Sequence, residues 1–278
     1  MEHMDTLAST RDIALTAADH ALVADAAQQE LLELEPGHGP VLVLGGPGTG
    51  KTTTLLRVLT ARLDTGLDPQ HVLVLSPTRS AAATLRDDLS AGTDKTFSEP
   101  AVRTWSAYAF DLIRRARLDG LLPALQRPPR LLSGPEQDTL IGHLLGGHAL
   151  GITPGPEWPE SLGEAIGTRG FRKELRELFD RISEHGLEAG ALQDLGESLG
   201  RPEWIAAAQF YQEYRDLLDL GSAEAFDPAG LLAAAAGILE YNPEFLAAEH
   251  ERLHLVMVDD LQEANPAQHR LLSLLARG

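Results

Sequence analysis

The sequence contains no cysteine, and this absence excludes several kinds of site. Disulfide bonds, cysteine-ligated zinc and cysteine-held iron–sulfur clusters all need thiols, so none of them is expected in this chain. The absence does not determine the cellular compartment, for which the cytoplasm is the default expectation.

Long hydrophobic runs are missing as well. The longest apolar run, Leu231–Leu239, is rich in alanine and far shorter than the roughly 20 residues that a membrane-spanning helix needs. The N-terminus carries acids at Glu2 and Asp5 and shows no basic segment followed by an apolar one, so no secretory signal is expected. We therefore expect no membrane partner.

Basic residues are scarce: 23 Lys and Arg stand against 41 Asp and Glu, which gives a formal net charge of −18. This balance argues against a nucleic-acid partner, because contacts with phosphates need basic surface. The window 103–130 is an exception, with six arginines and two acidic residues. This window has two interpretations. It could form a groove for a nucleic-acid backbone, because salt limits the reach of the chain's distant acidic charges to about 8–10 Å. Alternatively, it is a solvated helix face. Its arginines are Arg103, Arg114, Arg115, Arg117, Arg127 and Arg130.

Short apolar runs alternate with helical patterns. Val41–Leu44, Val72–Leu75 and Leu255–Val258 suit strands buried on both faces of a parallel sheet, and Ala101–Trp105 is a weaker candidate. This alternation predicts an α/β fold with a parallel sheet. The helical patterns between the runs occupy Thr52–Asp64, Ser80–Leu89 and Ala107–Arg117.

The middle of the chain, residues 118–225, contains no convincing strand. A stretch rich in glycine and proline, 146–163, predicts a loop, whereas 171–185 and 202–220 have the periodicity of amphipathic helices. We therefore predict one α/β domain in two parts, with a helical insertion between them. The predicted segments are 1–117, 118–225 and 226–278.

The segment after the first apolar run matches the pattern G-x-x-x-x-G-K-[ST] and precedes a helical pattern, which is the context of a phosphate-binding P-loop. Its glycines let backbone N–H groups surround a phosphate, and the helix N-terminus adds positive potential. Lys51 is expected to reach the β- and γ-phosphates and the Thr52 hydroxyl to bind Mg²⁺, so ATP and Mg²⁺ are the predicted cofactors. The predicted binding residues are Gly45, Gly46, Pro47, Gly48, Thr49, Gly50, Lys51, Thr52 and Thr53.

A P-loop enzyme also needs an acid at the end of another buried strand. Asp259 and Asp260 directly follow the apolar run Leu255–Val258. We expect Asp259 to hold the metal through water and Asp260 to polarise the attacking water. The alternative is an acid pair that favours a helix N-terminus.

The residues around these motifs resemble the N-terminal part of superfamily 1 DNA helicases of the UvrD/Rep type. Residues 258–268 are similar to that family's V-D-E-x-Q-D-x-N-x-x-Q element, in which Gln262 takes the γ-phosphate-sensing role. Residues 76–86 resemble motif Ia, which grips single-stranded DNA, and 102–108 resemble motif Ib. Gln28 fits the family's adenine-reading Q motif.

Two further features refine the resemblance. Residues 225–232 resemble the D-F-D-D-L-L stretch where the family's chain returns from its helical insertion. The form of motif Ia and the low lysine content are most similar to the actinobacterial AdnAB helicase–nuclease subunits.

The resemblance implies a RecA-like P-loop domain with an all-helical inserted subdomain. It implies a motor half that couples ATP hydrolysis to movement on single-stranded DNA in repair or recombination, with Lys51, Asp260 and Gln262 as catalytic residues. The second RecA-like domain is not in this chain and is expected from a missing C-terminal part or another chain, so these residues alone are expected to be inactive. A helicase–nuclease partner subunit is a further expectation.

The sequence departs from the family at sites that matter. Asp260 stands where the family has Glu, which leaves a catalytically weak ATP-binding scaffold as an alternative function. A P-loop ATPase unrelated to DNA is a third. The expected DNA contacts are the phosphate ligands Thr78, Arg79, Arg103 and Thr104, together with Trp105, which either stacks a base or packs in the core.

One further motif is His250-Glu251-Arg252-Leu253-His254, which matches the zinc pattern H-E-x-x-H. Zinc would need both imidazoles on one helical face and a third ligand. Because His254 directly precedes a predicted strand, we expect a helix end here rather than a zinc site.

Overall fold

The structure is a computed structural model that describes residues 26–34, 37, 39–92, 101–124, 129–219 and 224–276. The chain forms two compact units, 1–41 and 42–278. In the first, helix α1 (Ala26–Glu33) carries Gln28 and has no buried residue among those described. All remaining elements belong to the second unit. Within the described residues, no helix combines the length and the apolarity that crossing a membrane requires.

The core of the second unit is a three-stranded parallel sheet. Strand β1 (Val72–Ser76) lies between β2 (Val102–Thr104) and β5 (Leu255–Val258), and Val74 aligns with Val102 on one side and Met257 on the other. All five residues of β1 are buried, as expected for a continuous apolar run at the centre of a parallel sheet. The predicted α/β fold with a parallel sheet is confirmed.

The strand predicted at Val41–Leu44 is wrong. These residues are not in a strand, and the side chain of Leu44 is 83% exposed. An apolar run becomes a strand only where its backbone groups pair with a neighbour, because strand preference depends largely on packing and pairing. Because no strand forms at Val41–Leu44, β5 is an edge strand that, among the described strands, pairs with β1 alone. Its residues are only partly buried, whereas the sequence predicted burial on both faces.

Helices cover both faces of the sheet. Because successive side chains of a strand point to opposite faces, Leu73 and Leu75 pack in one hydrophobic cluster and Val72 and Val74 in another. The second cluster is formed with α2 (Lys51–Asp64) and α3 (Arg79–Gly92). The first is formed with α4 (Trp105–Leu118), α9 (Pro228–Tyr241), α10 (Pro243–Arg252) and α11 (Pro266–Leu275).

A third hydrophobic cluster lies among helices from the middle of the chain. Its largest fully buried members include Phe179, Phe210 and Tyr214. The amphipathic patterns at 171–185 and 202–220 are confirmed as helices. These helices are α5 (Gly134–Ala149), α6 (Arg169–Glu184), α7 (Ala189–Ser198) and α8 (Pro202–Asp219).

Two predictions for this region need correction. Helix α5 continues through Gly146 and Gly147 to Ala149, so the loop predicted over 146–163 begins later. A glycine costs a helix about 1 kcal/mol, and packing of the helix, including buried Leu145, outweighs that cost. In addition, the short strand β3 (Arg130–Leu131) pairs in parallel with β4 (Ala225–Phe226) at the ends of the predicted insertion. Two-residue strands carry too little periodicity to be recognised from sequence.

Acidic side chains lie where α6 packs against α9. Asp227 is buried, and its Oδ1 accepts a hydrogen bond from the N–H of Gly230 at 2.6 Å, which caps α9. On α6, burial raises the pKa of Asp180 to about 6, and the charges of Asp227 and Glu184 add to this shift. An ionised Asp180 therefore destabilises the folded state.

Asp180→Asn is expected to stabilise the chain at pH 7.5 and not at pH 4. Because the folded-state pKa of Asp180 lies above its ordinary value of 3.8, its contribution is fully present below pH 3.8 and is lost as the pH rises through about 6. At about 1.4 kcal/mol per pKa unit, the substitution can raise the free energy of unfolding at pH 7.5 by at most about 3 kcal/mol. Because the side chain is partly solvated, we expect a gain of about 1–2 kcal/mol. Urea unfolding at both pH values measures it, with the exposed Glu174→Gln on the same helix as control. An equal gain at both pH values would contradict the prediction.

Candidate functional site

The P-loop depends on glycine at specific positions. Gly48 and Gly50 have φ angles of 76° and 83°, which residues with a Cβ rarely adopt. At Gly45 a Cβ would lie 2.5 Å from Oγ1 of Thr49, and that hydroxyl donates to the carbonyl of Gly46 at 2.9 Å. Pro47 lies in the same turn. The loop is therefore closed by its own backbone and by one hydroxyl.

Lys51 begins α2 and folds back over this loop. Its Nζ donates to the carbonyls of Gly45 at 2.9 Å and Gly46 at 3.0 Å. Gly50, at the helix N-cap, provides no side-chain cap, so N–H groups of the first turn are available to an anion. Thr53 lies in this turn with its side chain exposed. The ammonium and the helix N-terminus together form a cradle suited to phosphate.

The P-loop contacts the end of strand β5 through one hydrogen bond. Oγ1 of Thr52 lies 3.0 Å from Oδ1 of Asp259, although the two residues are 207 positions apart in the sequence. Burial raises the pKa of Asp259, the charge of Asp260 raises it further, and the Thr52 hydrogen bond opposes the shift. A cation bound here would therefore relieve the cost of a buried negative charge.

The donor set of this pair suits a hard cation. A hydroxyl and a carboxylate offer oxygen ligands of the kind Mg²⁺ prefers. Among the described residues, no three acidic or histidine side chains cluster to hold a metal by themselves. Mg²⁺ at Thr52 and Asp259 would therefore take its other ligands from phosphate and water, which is its usual mode of binding.

Asp260 has an unusual backbone conformation. Its φ of 51° makes it the single non-glycine residue with positive φ in the described part of the chain. Such conformations cost free energy and concentrate at functional sites. Nε2 of Gln262 donates to Oδ1 of Asp260 at 2.9 Å, on a short 3-10 turn over Leu261–Glu263. Two of the three predicted catalytic side chains, Asp260 and Gln262, are thus in direct contact, next to Asp259.

A cleft of about 390 Å³ lies between α3 and the start of α4. The Thr104 side chain accepts a hydrogen bond from the N–H of Ala107 at 3.2 Å, and Thr78 caps α3 in the same way through Ala81. Each hydroxyl therefore keeps its own O–H as a donor for another ligand. The cleft is lined by Arg79, Ala82, Arg86, Arg103, Thr104 and Ala107.

Arg86, which is not among the predicted DNA contacts, also lines this cleft. It lies seven residues after Arg79 on α3, and this spacing places both guanidinium groups on one helical face. The spacing was readable from the sequence, but the position of Arg103 opposite that face depends on β2 lying beside β1. Three arginines line this cleft, so it can bind anions.

Trp105 does not line the cleft, and its predicted base stacking is wrong. Its side chain is 3% exposed and packs in the cluster that includes Leu73 and Leu75 of β1. It is the first residue of α4, on the face that lies against the sheet. Core packing, the alternative interpretation, is therefore correct.

Of the two interpretations of the window 103–130, the structure does not favour a continuous basic groove, because acids pair with its described arginines. Arg117 pairs with Glu224 at 2.8 Å and Arg130 with Glu136 at 2.6 Å. Arg114 and Arg115 pair with Asp111, and Arg115 also binds Glu249. Arg127 lies outside the described residues. Of the window's described arginines, Arg103 is the one that lines the cleft.

The H-E-x-x-H motif does not form a zinc-binding helix. Helix α10 ends at Arg252, so His254 lies beyond it. Nε2 of His250 is 2.8 Å from the carbonyl oxygen of Leu274, and the ring of His254 stacks on His71 with 4.2 Å between centroids. The two imidazoles therefore have different neighbours.

Comparison with known proteins decides the family. The family model for the UvrD/REP helicase N-terminal domain matches residues 25–278. The chain belongs to this family. The family resemblance inferred from the P-loop, the acid pair and the motifs around them is thereby confirmed.

Individual helicases of the family are distant relatives. ATP-dependent DNA helicase PcrA from Staphylococcus epidermidis is 25% identical over 263 residues, which cover 92% of this chain and 32% of that protein. DNA helicase II from Haemophilus influenzae is 26% identical over 247 residues, which cover 86% of this chain and 30% of that protein. The chain thus spans about a third of the length of the curated relatives it matches.

Proposed function

We propose that this chain is the N-terminal motor half of an ATP-dependent DNA helicase or translocase, which couples ATP hydrolysis to movement on single-stranded DNA in repair or recombination. The observation that carries the proposal is the Thr52–Asp259 hydrogen bond, which joins a complete P-loop to the acid at the end of β5. Membership of the UvrD/REP family supports it.

Each residue of the nucleotide site has a proposed role. Lys51 exchanges its bonds with the Gly45 and Gly46 carbonyls for bonds with the β- and γ-phosphates. Thr52 and Asp259 hold Mg²⁺, which when bound neutralises charge on the transferred phosphoryl group. Asp260 acts as the general base. Gln262, which contacts Asp260, senses the γ-phosphate.

Gln28 is proposed to read the adenine, on the basis of the Q motif. Binding of the remaining phosphates is assigned to the backbone of the P-loop, whose glycine conformations leave N–H groups accessible. Residues 118–225 are proposed as the inserted helical subdomain, since all members of the third hydrophobic cluster come from this segment.

The cleft between α3 and α4 is the proposed contact with the DNA backbone. Arg79 and Arg103, with Thr104, offer charge and hydroxyl donors to phosphates, and Arg86 joins them. Thr78 lies at the start of α3 and adds a further hydroxyl. Closure on DNA requires a second RecA-like motor domain, from a C-terminal continuation or another chain. A helicase–nuclease partner of the AdnAB type is proposed from the form of motif Ia.

A second function, a catalytically weak ATP-binding scaffold, rests on Asp260. Its side chain is one methylene shorter than the family's Glu, and misplacement of about an ångström can cost about 100-fold in rate. Its hydrogen bond with Gln262 also engages one of its two carboxylate oxygens.

Steady-state ATPase assays on a protein that holds both motor domains test these functions. We expect ATP hydrolysis stimulated by single-stranded DNA, and a change of less than about tenfold on Asp260→Glu. A rise of about 100-fold on that substitution would support the scaffold instead. Turnover without stimulation by DNA would favour an ATPase unrelated to DNA. Glu263→Gln, an exposed change on the same turn, is the matched control.

A further inference from the structure

Arg103 lies between the proposed DNA cleft and an acid inside the protein. Its side chain lines the cleft, yet Nη1 is 3.3 Å from Oδ2 of Asp111 on α4. Both side chains are largely buried, at 15% and 11% exposure. A phosphate in the cleft and the carboxylate of Asp111 would therefore compete for one guanidinium group.

Asp111 has two closer partners. Its Oδ1 accepts from Nη2 of Arg114 at 2.6 Å, and its Oδ2 accepts from Nε of Arg115 at 3.0 Å. Burial alone would raise the pKa of Asp111, but the Arg114 hydrogen bond and the charges of Arg115 and Arg103 hold it below its ordinary range. Asp111 is therefore ionised at neutral pH. It stays paired with two arginines when Arg103 turns away.

Arg103 is the partner whose loss costs Asp111 least. Its contact is the longest of the three, and the oxygen it faces also accepts the hydrogen bond from Arg115. If Arg103 leaves, Asp111 still has two arginines as counter-ions. Breaking a buried ion pair is costly mainly when it leaves a charge unpaired, and that does not happen here.

We propose that Asp111 is an internal counter-ion that holds Arg103 until a backbone phosphate of single-stranded DNA replaces it. Asp111 is then a positioning residue that sets the affinity of the cleft and its dependence on salt. This inference rests on the proposed function, because it takes DNA as the ligand of the cleft.

The charge of Asp111 has two effects on binding. In the free protein it satisfies Arg103, so DNA must displace an existing ion pair. In the complex its negative charge remains close to the bound phosphate and repels it. Both effects weaken binding. Salt screens the largely buried Arg103–Asp111 pair only weakly, whereas it reduces the repulsion of a phosphate in the open cleft more strongly.

The test is binding of a fluorescein-labelled oligo-dT to the protein that holds both motor domains, followed by fluorescence anisotropy. Asp111→Asn is expected to tighten binding about 5–10-fold near 50 mM salt and by a smaller factor near 500 mM. Asp119→Asn is the matched control, since it removes the same charge at the C-terminal end of the same helix. Asp119→Asn is expected to change the affinity for the oligonucleotide by less than about twofold.

A double-mutant cycle with Arg103→Ala tests whether Asp111 affects binding through Arg103. If Asp111 acts through Arg103, the gain from Asp111→Asn falls in the Arg103→Ala background to the smaller part that comes from direct repulsion of the phosphate. A full gain in the Arg103→Ala background would overturn the proposal. Urea unfolding checks each variant, and Asp111→Ser replaces Asp111→Asn if the amide destabilises the fold.

Failure of the inference and failure of the proposed function give different results. If the native protein binds the oligonucleotide and Arg79→Ala weakens binding, while Asp111→Asn matches Asp119→Asn, only the role of Asp111 is wrong. If the native protein does not bind the oligonucleotide at any salt concentration, the DNA-binding function fails and this inference fails with it.

Discussion

Glu249→Ala is expected to lower the free energy of unfolding by about 3–5 kcal/mol, as for other broken buried ion pairs. The Glu249 carboxylate is 0% exposed and accepts hydrogen bonds from three side chains. Tyr108 Oη donates at 2.6 Å, Arg115 donates through both Nη atoms at 2.6 and 2.9 Å, and Arg252 donates through Nε and Nη2 at 3.0 and 2.6 Å. Alanine would leave two arginines and a buried phenol without this partner.

Urea unfolding at pH 7 measures the effect, and the exposed Glu251→Ala on the same helix is the control, with an expected change within about 0.5 kcal/mol. A loss below about 1 kcal/mol for Glu249→Ala would show that water or a rearranged acid replaces the carboxylate.

The same carboxylate predicts a dependence on acid. Burial alone would raise the pKa of Glu249, but hydrogen bonds and charges from Arg252 and Arg115 lower it to about 2. Because the folded-state pKa lies below the ordinary 4.5, the stabilisation is present above pH 4.5 and is lost as the pH falls through about 2. The difference in the free energy of unfolding between the native protein and Glu249→Ala should therefore become smaller as the pH falls from 4.5 through about 2.

Lys51→Ala is expected to lower the DNA-stimulated kcat for ATP hydrolysis by at least about 100-fold in a protein with both motor domains. The ammonium is held over the P-loop by two carbonyls, and no substitute cation begins α2. Losing it removes a positive charge from the place where charge develops on the transferred phosphoryl group.

Arg62→Ala is the matched control for this change. Arg62 lies on the same helix, 11 residues further on, which is about 16 Å along the axis. Its kcat should stay within about twofold of the native value. A Lys51→Ala variant that keeps more than about a tenth of the native kcat would refute the assigned role of Lys51.

Much of the fold followed from local patterns. The apolar runs at β1 and β5, the weaker β2 and five helices were predicted close to their observed bounds. The failures share a cause, since Val41–Leu44 has the composition of a strand but the structure provides no paired neighbour. Whether an apolar run becomes a strand depends on a partner that lies elsewhere in the chain.

The charged residues were less predictable for the same reason. The window 103–130 is basic as a sequence, yet Asp111, Glu136, Glu224 and Glu249 neutralise most of its described arginines. Two of these acids lie about a hundred or more residues away from their partners. No local count of charge reveals such pairings.

By itself the sequence determined the P-loop, the acid pair after β5, the alternation of strands and helices, and the family. These depend on residue type and short spacing: glycine for positive φ, a lysine at a helix start, and apolar runs for a parallel sheet. Tertiary structure alone decided which groups meet. It joined Thr52 to Asp259, buried Trp105, and left Arg103 between the cleft and Asp111, because side chains far apart in sequence are brought together only by the path of the chain.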